Sequence, residues 1–302
     1  MTSVPFAKRP FAAALLGALA AACSPLSMFA TLSPKDPSSR VANGAAYGAG
    51  QRQRLDVYAP RGASHAPVAV FFYGGSWDSG RRQDYNWVGR ALASRGFVTV
   101  VADYRLYPEV KYPGFLEDGA QAVKWAVDNA GRYGADPSRI VLVGHSAGAY
   151  NAVMLGLDGR YLKAAGVAPE RIKAIAGLAG PYDFLPLKGD TTNRVFGGAD
   201  DLPSTQPLAF VTSSSPPAFL ATGARDGIVY PKNTIALANR LRAAGVPVEE
   251  RHYQGVEHIG IILALSRPLR GGAPVLEDMT GFLRRHVDTS VAATRNEAAA
   301  AE

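Results

Sequence analysis

Ser146 stands in Gly144-His145-Ser146-Ala147-Gly148, directly after the apolar run 140–143. That run, mostly β-branched, predicts a short buried strand, and the residues from Ala149 onward predict a helix. A serine on a sharp strand-to-helix turn carries its hydroxyl clear of the sheet. Glycines two residues to either side let strand and helix approach closely. The helix N-terminus behind Ser146 adds a positive dipole end where negative charge would develop. The arrangement suits attack on a carbonyl. A hydroxyl is a poor nucleophile at neutral pH, so it needs a base, and the base needs an acceptor that fixes its tautomer.

The chain holds five histidines. His65 precedes the core strands, His145 points away from Ser146 by adjacency, His252 lies within a strand, and His286 faces out near the end of the last helix. His258 remains as the base, in a loop after the last strand, Gln254-Gly255-Val256-Glu257-His258-Ile259-Gly260. Asp226, in the glycine loop after the penultimate strand, is the candidate acceptor because its loop neighbours that of His258. Asp183, in Gly180-Pro181-Tyr182-Asp183, is the alternative. After the run 68–72, Tyr73-Gly74-Gly75-Ser76-Trp77 has the spacing of a turn that aims backbone N–H groups at an oxyanion. The candidate donors are Gly75 or Ser76, together with Ala147. Asp103 and Asp118 read as structural residues that pin loops near the site. No paired carboxylates for glycosidase work, metal-ligand cluster or nucleotide fingerprint stands out, so neither a metal nor a cofactor is expected.

These residues must be positioned by strands read at 55–58, 68–73, 98–102, 140–143, 174–178, 218–222 and 246–253. Helices read at 85–95, 115–133, 149–157, 232–244 and 275–287. Buried apolar strands alternating with helices mean an α/β domain: a mostly parallel sheet covered on both faces. In such sheets ligands bind beyond the carboxyl ends of the strands, which is where the candidate residues fall. Residues 181–217 are too long and too rich in Pro, Ser and Thr for a simple crossover, and read as a small cap after the sixth strand. Trp77, Tyr182, Phe184, Phe196 and Tyr230 are candidates to line an apolar pocket, and equally candidates for cap packing.

Residues 1–22 read as an export signal: Lys8-Arg9, then an apolar run of 12 residues from Phe11 to Ala22, too short for the roughly 20 a membrane span needs. Leu19-Ala20-Ala21-Ala22-Cys23 resembles the bacterial lipoprotein signal, in which the cysteine is lipid-modified. Cys23 is the only cysteine, so no intrachain disulfide is available to it. The expectation is an exported bacterial lipoprotein at the cell envelope, on the periplasmic face and held to the membrane through a lipid on Cys23. A soluble periplasmic or secreted protein, cut after an alanine, is the alternative. Residues 23–46 read as a flexible tether, 47–288 as the domain, and 289–302 as a disordered tail. The net charge of +7 and pI near 9.5 come from scattered arginines without a basic stripe, and nucleic acid is not an expected partner.

Taken jointly, Tyr73 to Trp77, Asp103-Tyr104-Arg105-Leu106-Tyr107-Pro108-Glu109, Asp136-Pro137-Ser138-Arg139-Ile140 running into the Ser146 pentapeptide, Asp226 and His258 resemble a carboxylesterase of the α/β-hydrolase superfamily. The resemblance covers residues 50–288. It is closest to small bacterial esterases of the feruloyl-esterase-like, hormone-sensitive-lipase-like and kynurenine-formamidase-like groups. Tyr73 stands where histidine is usual, and Ser76 where a third glycine is common, which leaves the second oxyanion donor open between Gly75 and Ser76. The resemblance implies a cofactor-free serine esterase acting on small acyl or aryl esters. In it Ser146 attacks, His258 acts as base, and an acyl-enzyme is hydrolysed by the same route. A formamidase, amidase or peptidase with the same residues is one alternative, and a non-catalytic binding lipoprotein on this scaffold is another.

Overall fold

The computed structural model describes residues 25–300, with side chains through residue 288; the segment read as an export signal and Cys23 lie outside the described residues. In chain order the elements are α1 (Pro25–Leu32), β1 (Ser39–Ala46), β2 (Arg54–Ala59), β3 (Ala66–Phe72), α2 (Asn86–Ser94), β4 (Val98–Ala102), α3 (Gly114–Asn129) and β5 (Ala135–His145). They continue with α4 (Ala147–Leu157), α5 (Arg160–Ala164), β6 (Ile172–Leu178), α6 (Asp190–Phe196), β7 (Ala218–Gly223), α7 (Lys232–Ala243), β8 (Val248–Tyr253), α8 (His258–Leu263) and α9 (Val275–Ala300).

The eight strands form one sheet in the order β1-β2-β4-β3-β5-β6-β7-β8. β1, β2 and β4 pair antiparallel, and every pair from β4 through β8 is parallel. Right-handed crossovers decide where the helices go. The step β3-α2-β4 runs one way across the sheet, whereas β4-α3-β5, β5-α4-β6 and β7-α7-β8 run the other way, so α2 lies on one face and α3, α4 and α7 on the opposite one. α9 returns to the α2 side, where Glu277 pairs with Arg95. Covered on both faces, β3, β4 and β7 are buried at every position, as their largely apolar sequences predict. β8 is an edge strand with only Tyr253 buried, and its Glu249, Glu250 and Arg251 put charge on that edge. Among the described residues no helix is long and apolar enough to cross a membrane.

Two expectations need correction. Residues 25–46 are not a tether. β1 adds an irregular antiparallel edge to β2, and α1 docks through Ser27, whose hydroxyl donates to Asp84 at 2.6 Å. Buried Asp36 takes two hydrogen bonds from Arg270, at 3.0 and 2.7 Å, across 234 positions of sequence. Such polar anchors leave no mark in hydrophobic periodicity. At the other end α9 extends through Ala300, into the segment read as a disordered tail; alanine and glutamate are strong helix formers.

The Asp36–Arg270 pair is partly exposed on the arginine side, so its removal should cost less than a fully buried pair, about 1–3 kcal/mol. Asp36→Ala is therefore expected to lower the melting temperature by roughly 2–8 °C in a chain of this size. Thermal denaturation followed by circular dichroism checks this, and an unchanged melting curve would return residues 25–38 to the status of a tether.

Candidate active site

β5 ends at His145 and α4 begins at Ala147, which leaves Ser146 on the corner with φ 55° and ψ −124°. A non-glycine residue with positive φ is strained, by about 1–3 kcal/mol. Its neighbours enforce the geometry. A Cβ on Gly144 would sit 2.1 Å from the Gly148 carbonyl oxygen, and one on Gly148 would sit 2.1 Å from that of Phe72. The Ser146 N–H is fixed by the Leu178 carbonyl at 2.9 Å. The hydroxyl lies at the carboxyl edge of the sheet.

His258 is the first residue of α8, not part of an open loop, and is buried. Its Nε2 is 2.9 Å from Ser146 Oγ, and its Nδ1 is 2.7 Å from Asp226 Oδ2. The other oxygen of Asp226 accepts from the N–H groups of Ile228 and Val229, both at 2.9 Å. Burial pushes the Asp226 carboxyl up. The hydrogen bond and charge of His258 and the two N–H donors outweigh it and hold the group below the usual carboxylate value. An ionised acceptor at Nδ1 leaves Nε2 free to take the hydroxyl proton. The alternative acid, Asp183, is exposed on the cavity wall, while the Nδ1 position belongs to Asp226.

The loop after β3 passes directly beside the serine: a Cβ on Gly74 would lie 2.9 Å from Ser146 Cβ. Gly75 has φ 132°, and Ser76 and Trp77 follow with φ 51° and 61°. The N–H groups of Ser76 and Ala147 donate to no backbone or side-chain acceptor among the described residues, and both residues line the cavity that contains Ser146. Gly75 does not line it. Its position is a tight approach to the Ser79 carbonyl, where an added Cβ would come within 2.3 Å. Tyr73 anchors the loop, donating its hydroxyl to Asp103 at 2.9 Å while its carbonyl accepts from the Tyr104 hydroxyl at 2.8 Å. Arg82 bridges Asp103 and Asp56, at 2.5 and 2.8 Å, and Asp118 accepts from Arg105 and Gln53. Asp103 and Asp118 thus hold loops, as their places in the sequence suggest.

The cavity over Ser146 has a volume of about 340 Å³. Its floor includes Trp77, whose indole N–H donates to Asn151 at 3.0 Å and whose ring packs edge-on against Tyr150 and Phe196. Phe184 and Leu185, from the segment between β6 and β7, form one wall, and Tyr230, largely exposed, stands at the rim. Tyr182 is not part of the wall. Its backbone N–H is held by the Asn233 side chain at 3.0 Å, and its ring turns inward against Gly177 and Gly180. Phe196 is likewise buried packing. Asn233 fixes Asp183 as well, at 2.9 Å, and so ties the cap to α7; nothing in the sequence marks it for that task. Among the described residues no group of three or more His, Cys, Asp or Glu side chains could hold a metal.

His145 does more than its adjacency suggests. It is buried, its Nε2–H donates to the His258 carbonyl at 3.0 Å, and its Nδ1 has no partner. Burial first, then the charge of His258, pushes its pKa down to about 3, so the ring is neutral.

The comparisons with known proteins agree with this architecture. The BD-FAE family model matches residues 55–241. The chain is 31% identical over 279 residues to a probable isoprenylcysteine alpha-carbonyl methylesterase of Oryza sativa subsp. japonica, covering 84% of this chain and 65% of that protein. It is 30% identical over 218 residues to esterase LipC of Mycobacterium tuberculosis, covering 65% of this chain and 54% of that one. It thus spans less than two thirds of the length of either relative. Among solved structures, esterase B from Lactobacillus rhamnosis superposes with a TM-score of 0.78 at 18% identity, covering 94% of this chain and 98% of that one. At that identity the likeness speaks for the fold.

The sign of the His145 shift sets a pH dependence. With the folded pKa depressed from 6.5 to about 3, the unfolded chain binds a proton that the folded chain refuses. Stability should be full above pH 6.5 and fall as pH drops from there toward the carboxylate range. His145→Gln, which keeps an N–H donor and does not titrate, should flatten that fall in chemical denaturation at stepped pH; identical slopes for both proteins would remove His145 as the cause.

Proposed function

This chain belongs to the BD-FAE family, and from that membership we propose that it is a serine carboxylesterase hydrolysing small acyl or aryl esters. The observation that carries the reading is the pair of contacts made by His258, 2.9 Å to the Ser146 hydroxyl and 2.7 Å to the Asp226 carboxylate. Relatives named as a methylesterase and an esterase favour esters over amides as the bond cleaved. The cavity, at about 340 Å³, is near the small end of ligand pockets, which favours short acyl or single-ring groups.

In this mechanism Ser146 Oγ attacks the ester carbonyl carbon as its proton passes to His258 Nε2. The carbonyl π pair becomes an oxyanion facing the N–H groups of Ser76 and Ala147. Collapse expels the alkoxide, which takes the proton back from His258 and departs as an alcohol, leaving the acyl group on Ser146. Water then enters, gives its proton to His258 and attacks the acyl carbon, and collapse returns Ser146 and a carboxylic acid. Asp226 stays ionised throughout and stabilises the imidazolium. The N–H of Ser76 serves as second donor in preference to that of Gly75, because Ser76 faces the cavity.

Cys23 carries a lipid in this reading and holds the domain at the periplasmic face of the cell envelope. Its support is the sequence alone: the basic start, the short apolar run and the single cysteine.

Chromogenic esters of graded acyl length, offered to residues 24–302 and to Ser146→Ala, test the activity. Turnover of short esters, reduced at least about 10³-fold in the variant, is the expected result. Inertness of the native protein toward every ester, with turnover of formamides instead, would move the assignment to an amide hydrolase.

Asp226→Asn separates the two candidate acids. It should lower kcat by about 10³–10⁴-fold while leaving Ser146 and His258 in place, because Asn cannot stabilise the imidazolium. Asp183→Asn should leave kcat within a few-fold of native; the reverse pattern would transfer the role to Asp183.

A further inference from the structure

The N-terminal segment builds a second hollow, away from the catalytic cavity and independent of the ester chemistry. Lys35, Arg40, Tyr58, Asn86 and Arg90 line about 280 Å³ of open space. Three of these five are cations and none is an acid. Each is held in place. Lys35 Nζ donates to the Thr31 carbonyl at 3.0 Å, folding back over the last turn of α1. Arg90 donates to the Ser38 carbonyl and lies over the Tyr58 ring, 5.9 Å from its centre. Asn86 donates to the Ala30 carbonyl at 3.2 Å. Asp56 Oδ2 pairs with Arg40 at 4.0 Å, while Arg82 and the Gly44 N–H, both at 2.8 Å, engage its other oxygen. Lys35 and Arg90 make their hydrogen bonds to carbonyl oxygens and not to carboxylates, so their charge is not neutralised at the hollow. Burial and then the charge of Arg90 hold the Lys35 ammonium below its ordinary value, a penalty that a bound anion would relieve.

Beside the hollow, α1 turns an apolar face outward. Ser27 and Ala30 are its buried positions, whereas Pro25, Met28, Thr31 and Leu32 are exposed, with Met28 at 47% and Leu32 at 76%. Leu32 lies one turn from Met28 and next to the turn that Lys35 caps. An exposed apolar stripe beside clustered cations is the arrangement of a segment that lies in a membrane interface. The chain also enters the described fold at this point: Pro25 is two residues from Cys23.

We propose that α1 and the Lys35–Arg40–Arg90 hollow form a docking surface for an anionic phospholipid bilayer, with Met28 and Leu32 entering the headgroup region and the three cations holding lipid phosphates. The surface orients the domain on the membrane and acts in addition to any lipid on Cys23.

Residues 24–302 contain every described element and lack Cys23, so co-sedimentation with vesicles reads this surface alone. Vesicles of phosphatidylcholine are compared with vesicles of equimolar phosphatidylcholine and phosphatidylglycerol. The protein is expected to sediment with the anionic vesicles and not the neutral ones, and to release as salt is raised. Lys35→Glu with Arg40→Glu should weaken binding by about 25-fold or more, roughly fivefold for each cation lost. Leu32→Ser, a surface change, should weaken it independently. Both variants should keep native turnover of a soluble ester, which separates failure of this surface from failure of the esterase reading. Equal sedimentation with both vesicle types would overturn the proposal, as would native binding by the charge-reversed variant. Stabilisation by free glycerol phosphate without vesicle binding would also overturn it, and would leave a site for a soluble phosphate.

Discussion

Three backbones meet around Ser146 with no space for a single additional methyl group, and the rest of the site depends on that contact. Gly144 meets the start of α4, Gly148 meets the end of β3, and Gly74 meets the serine itself. The serine therefore has no relaxed conformation to adopt, and its positive φ is imposed from outside. The cost, about 1–3 kcal/mol, is small beside what holds the neighbours in place. Val141, Leu142 and Val143 are fully buried in β5, and each such side chain contributes roughly 1.5–3 kcal/mol, an upper figure because unfolded chains already bury part of this area. One strand outweighs the strain, so the turn stays folded.

The loop facing the serine is fixed by different physics. The Tyr73 hydroxyl ends in a buried network of Asp103, Arg82 and Asp56. Buried ion pairs add little net stability, because desolvation offsets most of the attraction, whereas losing one partner strands a charge at a cost of several kcal/mol. Such a network is therefore poor at stabilising and good at specifying: any shift of Tyr73 breaks hydrogen bonds that have no replacement. The ring is also stacked between Tyr104 and Tyr85, at centroid distances of 4.9 and 5.5 Å. Tyr73 is thus fixed at its ring by stacking and at its hydroxyl by the buried network.

The parts of the fold legible in the sequence are those where one strong local signal determines the outcome. Strands such as β3 and β7, largely apolar, are parallel and buried; Ser146, His258 and Asp226 could be ordered by motif and by chain order, and they come together in space. What escaped the sequence is held by interactions between distant, locally unremarkable polar residues. Asp36 binds Arg270 across 234 positions, and Ser27 binds Asp84 across 57, so a segment rich in Pro, Ser and Asp reads as a linker although it is tied down. Tyr182 stays open between pocket and cap packing in the sequence for the same reason. Whether an aromatic residue in a cap faces the cavity or the core depends on which way its backbone is pinned, and here Asn233, fifty-one residues on, decides it. The Ser76 N–H, by contrast, depends on a φ of 51° that serine composition does not announce.

The two buried histidines show how environment assigns roles to identical groups. The rings of His145 and His258 are 5.1 Å apart. Were both protonated, two unit charges at that distance would oppose each other by roughly 3 kcal/mol at an effective dielectric of about 20, more than a hundredfold in rate at the step where His258 takes the serine's proton. Burial without a counter-ion keeps His145 neutral, and its one N–H goes to the His258 carbonyl; Asp226 hydrogen-bonds the Nδ1 of His258 and not the ring of His145. The proton therefore has one stable destination. Two identical side chains stand side by side, and the placement of a single carboxylate distinguishes them.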